Sequence, residues 1–293
     1  MNKQKSYDKA IETGLLYLVP TPIGNLQDMT FRAIDTLKEV GVIASEDTRN
    51  TQKLLNHFQV ETPQISFHEH NYKERIPKLV ERLLAGESIA QVSDAGMPSI
   101  SDPGHELVVA CIEANLPVVA LPGATAGVTA LIASGLSAEK FTFYGFLGRK
   151  KNLQLKELEA LQEKRETLIF YESPYRLKAT FTNMVAVFGE DRQGSLCREL
   201  TKLHEEYIRG SLLDILAYLQ DNEIKGECCI LVAGFDGEIV AESENDWSGL
   251  SVLEHIEVEM TENQQSSKEA IKQVAKLRGL KKQEVYKEYH QET

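Results

Sequence analysis

Short apolar runs alternate with stretches of helical periodicity through the first 121 residues. Runs of mainly apolar residues predict strands at residues 15–19, 42–45, 64–67, 89–92 and 117–121. Apolar residues spaced three or four positions apart predict helices at residues 29–40, 47–58, 72–85 and 105–113. This regular alternation is typical of an α/β domain with a mostly parallel, doubly wound sheet. Residues 1–121 are therefore predicted to form the first domain.

The pattern becomes less regular from residue 122 onwards. Strands are predicted at residues 141–147, 167–171, 194–198, 206–209 and 228–233. Helices are predicted at residues 152–164, 174–187 and 212–219. Because some of these strands are spaced as hairpins while others flank helices, we expect a second α/β domain with a mixed sheet over residues 122–235.

The chain changes character again after residue 235. Acidic residues dominate up to Lys268, and the lone Trp247 lies within this segment, which predicts a solvated linker. From Lys268 the tail is basic, and its apolar pattern breaks at Gly279 and resumes at Leu280. Two short helices around a glycine turn have helix-turn-helix proportions. Residues 236–293 are therefore predicted to be an acidic linker followed by a small, basic, helical C-terminal domain.

Three loops rich in glycine and proline follow predicted strands of the first domain, at residues 20–25, 93–104 and 122–127. In an open parallel sheet, ligands bind beyond the carboxyl ends of the strands. Glycines in such loops let the main chain approach a ligand closely. Asp94 and Asp102 add carboxylates that can bind hydroxyl or ammonium groups. The loops therefore predict a small-molecule pocket at this edge of the sheet.

Composition narrows the class of protein further. The chain has 293 residues, a formal net charge of −12 and four cysteines without a C-x-x-C spacing, so a reducing cytoplasm is expected and a disulfide framework is not. The first apolar run, at residues 15–19, is too short to span a bilayer, and we expect neither a membrane nor DNA as a partner. His68 and His70 would lie on one side of a strand, but no third ligand is evident, so no metal site is predicted.

No G-x-G-x-x-G or Walker loop follows the first strand, which argues against the common nucleotide-binding motifs. Six other motifs occur in order: LVPTPIGNL at 18–26, EDTR at 46–49, SDAGMPSISDPG at 93–104, LPGATA at 121–126, FYESP at 170–174 and RELTK at 198–202. Together they resemble the tetrapyrrole-methylase-like (class III) methyltransferases, and most closely the ribosomal RNA small subunit methyltransferase I branch. The resemblance covers residues 14–235, and the basic tail resembles the small C-terminal helical domain of that branch.

The resemblance implies a cofactor, a substrate and a set of binding residues. S-adenosylmethionine would bind in a cleft between the two α/β domains of a homodimer. The substrate would be 16S ribosomal RNA or the small ribosomal subunit, methylated on the ribose 2′-hydroxyl of a cytidine in the decoding region, position 1402 by the family's convention. The residues that would bind the cofactor, carried over by position, are Pro22, Ile23, Gly24, Ser93, Asp94, Ala95, Gly96, Thr125, Ala126, Tyr171, Glu172 and Cys228.

A ribose hydroxyl is a weak acid, so methyl transfer to it calls for a proton acceptor or a nearby cation. The candidate catalytic residues are Glu46, Asp47, Arg49 and Lys202. The candidates for contacts with RNA are Arg49, Arg149, Lys150, Arg176, Lys281 and Lys282. No spacing marks one carboxylate as the base. Residues 45–49 are equally typical of a capped helix start, and residues 149–151 of a solvated surface run.

Two other functions stay open at this point. One is a small-molecule methyltransferase that acts on a tetrapyrrole or on a diphthine-type protein side chain. The other is a ribosome-assembly protein that binds RNA without catalysis. Small-molecule relatives carry a G-x-G-P-G loop after the first strand, and this chain has Thr21-Pro22-Ile23-Gly24-Asn25 there. That difference and the basic tail favour RNA methylation.

Overall fold

The computed structural model describes residues 3–5, 12–100, 104–237, 249–261 and 265–291. The chain divides into two compact units, Met1–Asp236 and Gly237–Thr293. The first unit contains two five-stranded sheets, and the described part of the second is helical. Residues 101–103, including the predicted carboxylate of Asp102, lie outside the described residues, as does Trp247.

The first sheet is parallel throughout. Its strands are β1 (Leu16–Leu18), β2 (Val42–Ser45), β3 (Gln64–Ser66), β4 (Ile89–Val92) and β5 (Val118–Ala120), in the order β3-β2-β4-β1-β5. The helices of this half are α1 (Phe31–Glu39), α2 (Thr48–His57), α3 (Tyr72–Leu84) and α4 (Gly104–Glu113). The prediction of an α/β fold with a doubly wound parallel sheet is confirmed.

Alternation along β4 shows why helices cover both faces of this sheet. Ala90 and Val92 belong to the apolar core that contains Leu37 of α1. Ile89 belongs to the opposite core, which contains Leu83 of α3. Both faces of the central strands are therefore buried, as their mainly apolar sequences predict.

The second sheet is mixed, also as predicted. Its strands are β6 (Phe141–Phe146), β7 (Thr167–Glu172), β8 (Gln193–Arg198), β9 (Glu206–Ser211) and β10 (Cys228–Val232), in the order β6-β7-β10-β8-β9. Only β6 and β7 pair in parallel. The helices of this half are α5 (Ala126–Ser134), α6 (Lys151–Glu159), α7 (Leu177–Phe188) and α8 (Leu212–Asp221).

Helix α5 is absent from the sequence-based prediction. Its sequence, AGVTALIAS, is apolar on nearly every side, so it shows no stripe of helical periodicity. The structure packs Ala130 and Leu131 against Ile169 and Leu231 of the second sheet. Gly135 ends the helix in the left-handed region, with φ of 83°.

The C-terminal unit, Gly237–Thr293, is built in its described part from α9 (Val252–Thr261), α10 (Ser267–Leu277) and α11 (Lys282–Gln291). Ile256, Ile271 and Val285 form its small apolar core. The prediction of a linker is wrong for residues 252–261, which form α9. Two residues on the buried side of this helix, His255 and Glu259, are polar, so the sequence shows no clear apolar face there. No helix in the described parts of the chain is long and apolar enough to cross a membrane.

Candidate functional site

The three loops rich in glycine and proline meet at the carboxyl edge of the first sheet. Thr21 and Gly96 form an isolated bridge, in which each backbone N–H donates to the other residue's carbonyl at 3.0 Å. The hydroxyl of Thr21 also donates to the carbonyl of Ser93 at 3.1 Å. Gly123 approaches Pro20 so closely that a Cβ atom at Gly123 would lie 2.3 Å from the Cβ of Pro20. Small residues therefore let the loops pack against one another.

A cavity of about 330 Å³ lies between these loops and the second sheet. Both halves of the first unit contribute to its wall, since Ile23 belongs to the loop after β1 and Leu200 to the loop after β8. Eight of the twelve predicted cofactor residues line it: Ile23, Ala95, Gly96, Thr125, Ala126, Tyr171, Glu172 and Cys228. Sequence reasoning missed other lining residues, including Met97, Ile100, Phe146, Leu200, Gly226 and Glu227. Met97 and Ile100 belong to the loop at 93–104 that was predicted to form the pocket, whereas Phe146, Gly226 and Glu227 reach the cavity only through the tertiary fold.

The cavity fits a nucleoside-bearing cofactor such as S-adenosylmethionine. Its volume falls at the lower end of the range of about 300–1,000 Å³ for small-molecule sites, and its wall is mostly apolar with a few polar groups. Gly96, with φ of 78°, places its backbone against Ile23, where a side chain would crowd the wall. The hydroxyl of Tyr171 accepts a hydrogen bond from Gly127 N–H at the start of α5, and burial raises the pKa of Tyr171.

Glu172 lines the cavity, and its carboxylate is buried in the protein. Its oxygens accept hydrogen bonds from Ser173 N–H at 2.8 Å and from the Thr180 hydroxyl at 2.7 Å. The hydroxyl of Thr180 accepts in turn from the buried amide of Gln154, and the Arg176 guanidinium lies 3.4 Å from the carboxylate. A buried carboxylate needs such partners. These partners fix its position, and the Glu172 side chain is only 1% exposed.

The other four predicted cofactor residues, Pro22, Gly24, Ser93 and Asp94, do not line the cavity. The Ser93 hydroxyl lies 3.5 Å from the carbonyls of Ala95 and Gly96, so it stabilises the conformation of the loop without lining the cavity. Gly24 faces the side chain of Lys202, as described below. These residues support the loops whose neighbours form the wall.

Asp94 joins the loop after β4 to the start of α2. Its carboxylate accepts hydrogen bonds from Asp47 N–H and from the Asn50 amide, both at 3.1 Å, while its own N–H donates to Glu46. We call Glu46, Asp47, Arg49 and Asp94 the acidic rim. None of its members lines the cavity, but Asp94 is followed directly by Ala95, which does.

Arg49 and Asp47 form a two-point ion pair within the acidic rim. The guanidinium donates Nε–H to Oδ1 at 3.0 Å and Nη2–H to Oδ2 at 2.6 Å. The hydrogen bonds from Arg49 hold the pKa of Asp47 well below its ordinary value. Asp47 is therefore a weak proton acceptor. The Arg49 side chain is 87% exposed and can still meet a ligand from outside.

Lys202 lies between two carboxylates. Its ammonium group is 2.9 Å from Glu199 Oε1 and 2.9 Å from Glu227 Oε2. Burial alone would lower the pKa of Lys202, but the hydrogen bonds that Lys202 donates to these carboxylates and their negative charges together raise it. A Cβ atom at Gly24 would lie 2.3 Å from Lys202 Cγ, so the lysine crosses from the second sheet's loops to the loop after β1. We call Glu199, Lys202 and Glu227 the ion-pair bracket.

The predicted RNA contacts divide into outward-facing and inward-facing cations. Arg149 and Lys150 are exposed after β6, and Lys281 and Lys282 are exposed at the start of α11 in the C-terminal unit. The guanidinium of Arg176 is turned inward, where it donates to the carbonyls of Leu147 and Gly148.

No metal centre is found within the described ranges, where no group of three or more histidine, cysteine, aspartate or glutamate side chains could hold an ion. The His68 ring lies within hydrogen-bonding distance of the Asn71 amide instead. The four cysteines are buried and unpaired. Burial raises the pKa of Cys228 to about 12, so at neutral pH it contributes a neutral thiol to the cavity wall.

The chain is similar to known proteins over its whole length. A ribosomal RNA small subunit methyltransferase I from Streptococcus pyogenes serotype M18 is 55% identical over 292 residues, which is 99% of each chain. A protein with the same name from Bacillus subtilis is 50% identical over 290 residues, again 99% of each chain.

Solved structures show the same fold at low identity. A cobalt precorrin-4 methyltransferase superimposes with a TM-score of 0.58 at 17% identity, covering 75% of this chain and 94% of the other. A uroporphyrin-III C-methyltransferase from Thermus thermophilus, in complex with S-adenosylhomocysteine, gives a TM-score of 0.54 at 16% identity, with coverage of 75% and 97%. Residues 15–216 match the model of the tetrapyrrole (corrin/porphyrin) methylases. The chain therefore belongs to the tetrapyrrole methylase family, in the group formed by ribosomal RNA small subunit methyltransferase I.

Proposed function

We propose that the protein transfers a methyl group from S-adenosylmethionine to the ribose 2′-hydroxyl of a cytidine in the decoding region of 16S ribosomal RNA. The observation that carries the proposal is the cavity, because eight of the twelve residues expected from sequence to bind the cofactor line this one site. Relatives named as methyltransferases of small-subunit ribosomal RNA match 99% of the chain, a span that takes in the basic tail from Lys268.

The residues of the cavity have distinct tasks in this proposal. When bound, S-adenosylmethionine supplies a reactive methyl group on a positively charged sulfur. Apolar side chains such as Ile23 and Leu200 exclude water from the reaction. Glu172, held by buried partners, keeps the end of β7 fixed beside the cofactor site. Fixed groups of this kind favour reaction by holding the two reactants in line.

Glu46 is our choice of proton acceptor for the ribose hydroxyl. Asp47 is less suited, because the hydrogen bonds from Arg49 lower its pKa. Glu46 accepts a hydrogen bond from Asp94 N–H at 3.2 Å, one residue before Ala95 on the cavity wall. The exposed Arg49 would orient the phosphate of the same nucleotide. We propose that Lys202 acts as a support for the cavity wall and takes no part in proton transfer.

Binding of the RNA is assigned to exposed cations on both units. Arg149 and Lys150 follow β6 directly, and the cavity-lining Phe146 ends that strand. In the C-terminal unit, Lys281 and Lys282 are exposed. Phosphate contacts of this kind explain how a protein with net charge −12 binds RNA, because local patches determine affinity. We propose that the protein works in the cytoplasm, where ribosomal subunits are assembled.

We further propose a homodimer in which apolar side chains beside β6 are covered. β6 is an edge strand of the second sheet, and its Phe141 and Phe143 are partly exposed. On the neighbouring helix α5, Val128 and Ile132 are exposed as well. A contiguous apolar surface at a sheet edge is typical of a protein–protein interface. Size-exclusion chromatography with light scattering measures the oligomeric state directly.

The reaction is tested with small ribosomal subunits from cells that lack this gene. The purified protein is incubated with these subunits, or with free 16S RNA, and with S-adenosylmethionine labelled in its methyl group. We expect the label in 2′-O-methylcytidine after complete nuclease digestion and mass spectrometry. Label in a methylated base, or only in added uroporphyrinogen, would contradict the proposal. RNA binding without any methyl transfer would favour the ribosome-assembly alternative instead.

A further inference from the structure

Tyr175 is a large aromatic side chain that the fold leaves 95% exposed. It lies in the short 3-10 helix Pro174–Arg176, directly after β7. Ser173 and Pro174 line the cavity, so Tyr175 follows two cavity-lining residues in the chain. Single exposed apolar side chains are common on protein surfaces. The exposure of Tyr175 therefore indicates a function only together with the contacts of its neighbours.

The turn that carries Tyr175 is held rigidly by its neighbour Arg176. The Arg176 guanidinium donates to the carbonyls of Leu147 at 3.2 Å and Gly148 at 3.0 Å, and it pairs with the buried Glu172 at 3.4 Å. One residue of the turn is thus anchored in the protein while the next faces solvent. A ring on a rigid support loses little conformational entropy when it binds a partner.

The same contacts bring positive charge close to the ring. Gly148, whose carbonyl accepts from Arg176, is followed directly by the exposed Arg149, Lys150 and Lys151. Phe146, which lines the cavity, lies two residues before Gly148 and is also exposed. Two exposed aromatic side chains and three exposed cations therefore lie on two connected segments that reach the cavity at Phe146 and Pro174. Aromatic rings flanked by cations are the usual means of binding single-stranded RNA, because bases stack on the rings while the cations contact phosphates.

We propose that Tyr175 is a stacking platform for a nucleobase of the RNA substrate, and that Arg149 and Lys150 contact the adjoining phosphates. The inference rests on the proposed function, because it assigns the binding of the RNA to this side of the cavity. Specific recognition of RNA mostly concerns bases that have left their stack and been turned outward. The Tyr175 ring replaces the stacking that such a nucleotide loses, and so keeps its ribose near the cavity.

The test compares Tyr175→Ala and Tyr175→Phe in the methylation assay with small ribosomal subunits. Loss of one base–aromatic contact is expected to raise the KM for subunits about 5- to 150-fold in Tyr175→Ala. Tyr175→Phe retains the ring and is expected to retain most of the affinity. Leu84→Ala, at the end of α3 and away from the cavity-lining residues, removes another large exposed side chain as a control.

Two further measurements separate stacking from other roles. The dissociation constant for S-adenosylmethionine, from calorimetry, is expected to be the same in Tyr175→Ala and in the wild type. The salt dependence of RNA binding is expected to keep its slope in Tyr175→Ala and to become shallower in Lys150→Gln, because only the lysine releases counterions.

Several results would overturn the proposal. If the wild-type protein methylates the subunits and Tyr175→Ala has the same KM for them, Tyr175 does not stack on a base of the RNA. Conversion of a wild-type dimer into a monomer by Tyr175→Ala places the ring in a subunit interface. Weaker cofactor binding in the same variant makes it a support of the cavity wall. If the wild type itself leaves the RNA unmethylated, the proposed function fails first, and that outcome is distinct from the other three.

Discussion

The substitution Lys202→Met tests whether the ion-pair bracket shapes the cavity. Methionine keeps an aliphatic chain next to Gly24 but loses the ammonium group that joins Glu199 to Glu227. The two loops that the bracket connects supply Leu200 and Glu227 to the cavity wall. We therefore expect weaker binding of S-adenosylmethionine together with lower stability.

The magnitude follows from the surroundings of the three groups. The Lys202 and Glu199 side chains are 28% and 20% exposed, whereas that of Glu227 is 73% exposed. A hydrogen bond to a charged group in a partly buried place contributes about 1.5–3 kcal/mol, and an exposed ion pair contributes about 0–1 kcal/mol. The variant should thus lose about 2–3 kcal/mol in the free energy of unfolding. Glu199 and Thr201 have φ of 50° and 67°, so the loop also needs this support against backbone strain.

The effect should depend on pH with a definite sign. Hydrogen bonding from Lys202 lowers the pKa of Glu199 from 4.5, so its contribution is present above that value and disappears as the pH falls. The pKa of Lys202 is raised from 10.5, so its contribution is present below that value and disappears at higher pH. The difference between wild type and variant should be largest between about pH 5 and 10 and should shrink toward pH 3.

Urea unfolding followed by circular dichroism gives the stability, and calorimetry gives the affinity for S-adenosylmethionine. Lys225→Met is the control, because Lys225 is exposed and reaches only Glu223, at 4.0 Å. If Lys202→Met bound the cofactor normally and was stable but did not methylate RNA, Lys202 would be a catalytic residue and our interpretation of the bracket would be refuted.

Three further predictions concern backbone, thiols and a buried histidine. Gly96→Ala and Gly135→Ala both place alanine at positive φ, which should lower the free energy of unfolding by about 1–2 kcal/mol in each variant. Only at Gly96 would the new Cβ atom crowd a cavity residue, because it would lie 3.2 Å from Ile23. Calorimetry should therefore show weaker cofactor binding in Gly96→Ala alone. Burial raises the pKa of Cys228 to about 12, so mass spectrometry should find it unalkylated in native protein at pH 8 and alkylated after denaturation. Burial lowers the pKa of His255 from 6.5, so its contribution to stability is present above that value and is lost as the pH falls. Hydrogen exchange in α9, corrected for intrinsic rates and measured on the full chain, should therefore accelerate between pH 7 and 5, and less so in His255→Gln.

Elements with a clear period were predictable from the sequence, and elements without one were not. The strands of the first sheet appear as apolar runs because both of their faces are buried. Helix α5 was missed because its own apolar residues lie on nearly every side, so its sequence has no separate apolar and polar faces. Helix α9 was taken for a linker because two of its buried residues, His255 and Glu259, are polar. Both helices are stabilised by packing against neighbouring elements, and the spacing of apolar residues in the sequence does not reveal that packing.

The candidate site shows a similar division between main chain and side chains. Turns that need glycine are visible in the sequence, so the loops that contain Gly96 and Thr125 could be assigned to the cavity in advance. Gly226 has φ of 92° and also lines the cavity, but it lies in a polar loop with no flanking motif. Which side chains complete the wall depends on how β8 and β10 pair, and that pairing is a tertiary property.

The cations show why charge in the sequence does not by itself identify an RNA contact. Arg176 and Arg149 were equal candidates, and they differ in what lies within reach of each guanidinium. Arg176 lies four residues after the buried Glu172 and donates to two carbonyls, so its charge stabilises the protein. Arg149 is exposed beyond the end of β6. Arg176 holds the carbonyl of Gly148, the residue directly before Arg149, and so helps to position the exposed Arg149. Replacing Arg176 should therefore weaken RNA binding even though Arg176 itself contacts no phosphate.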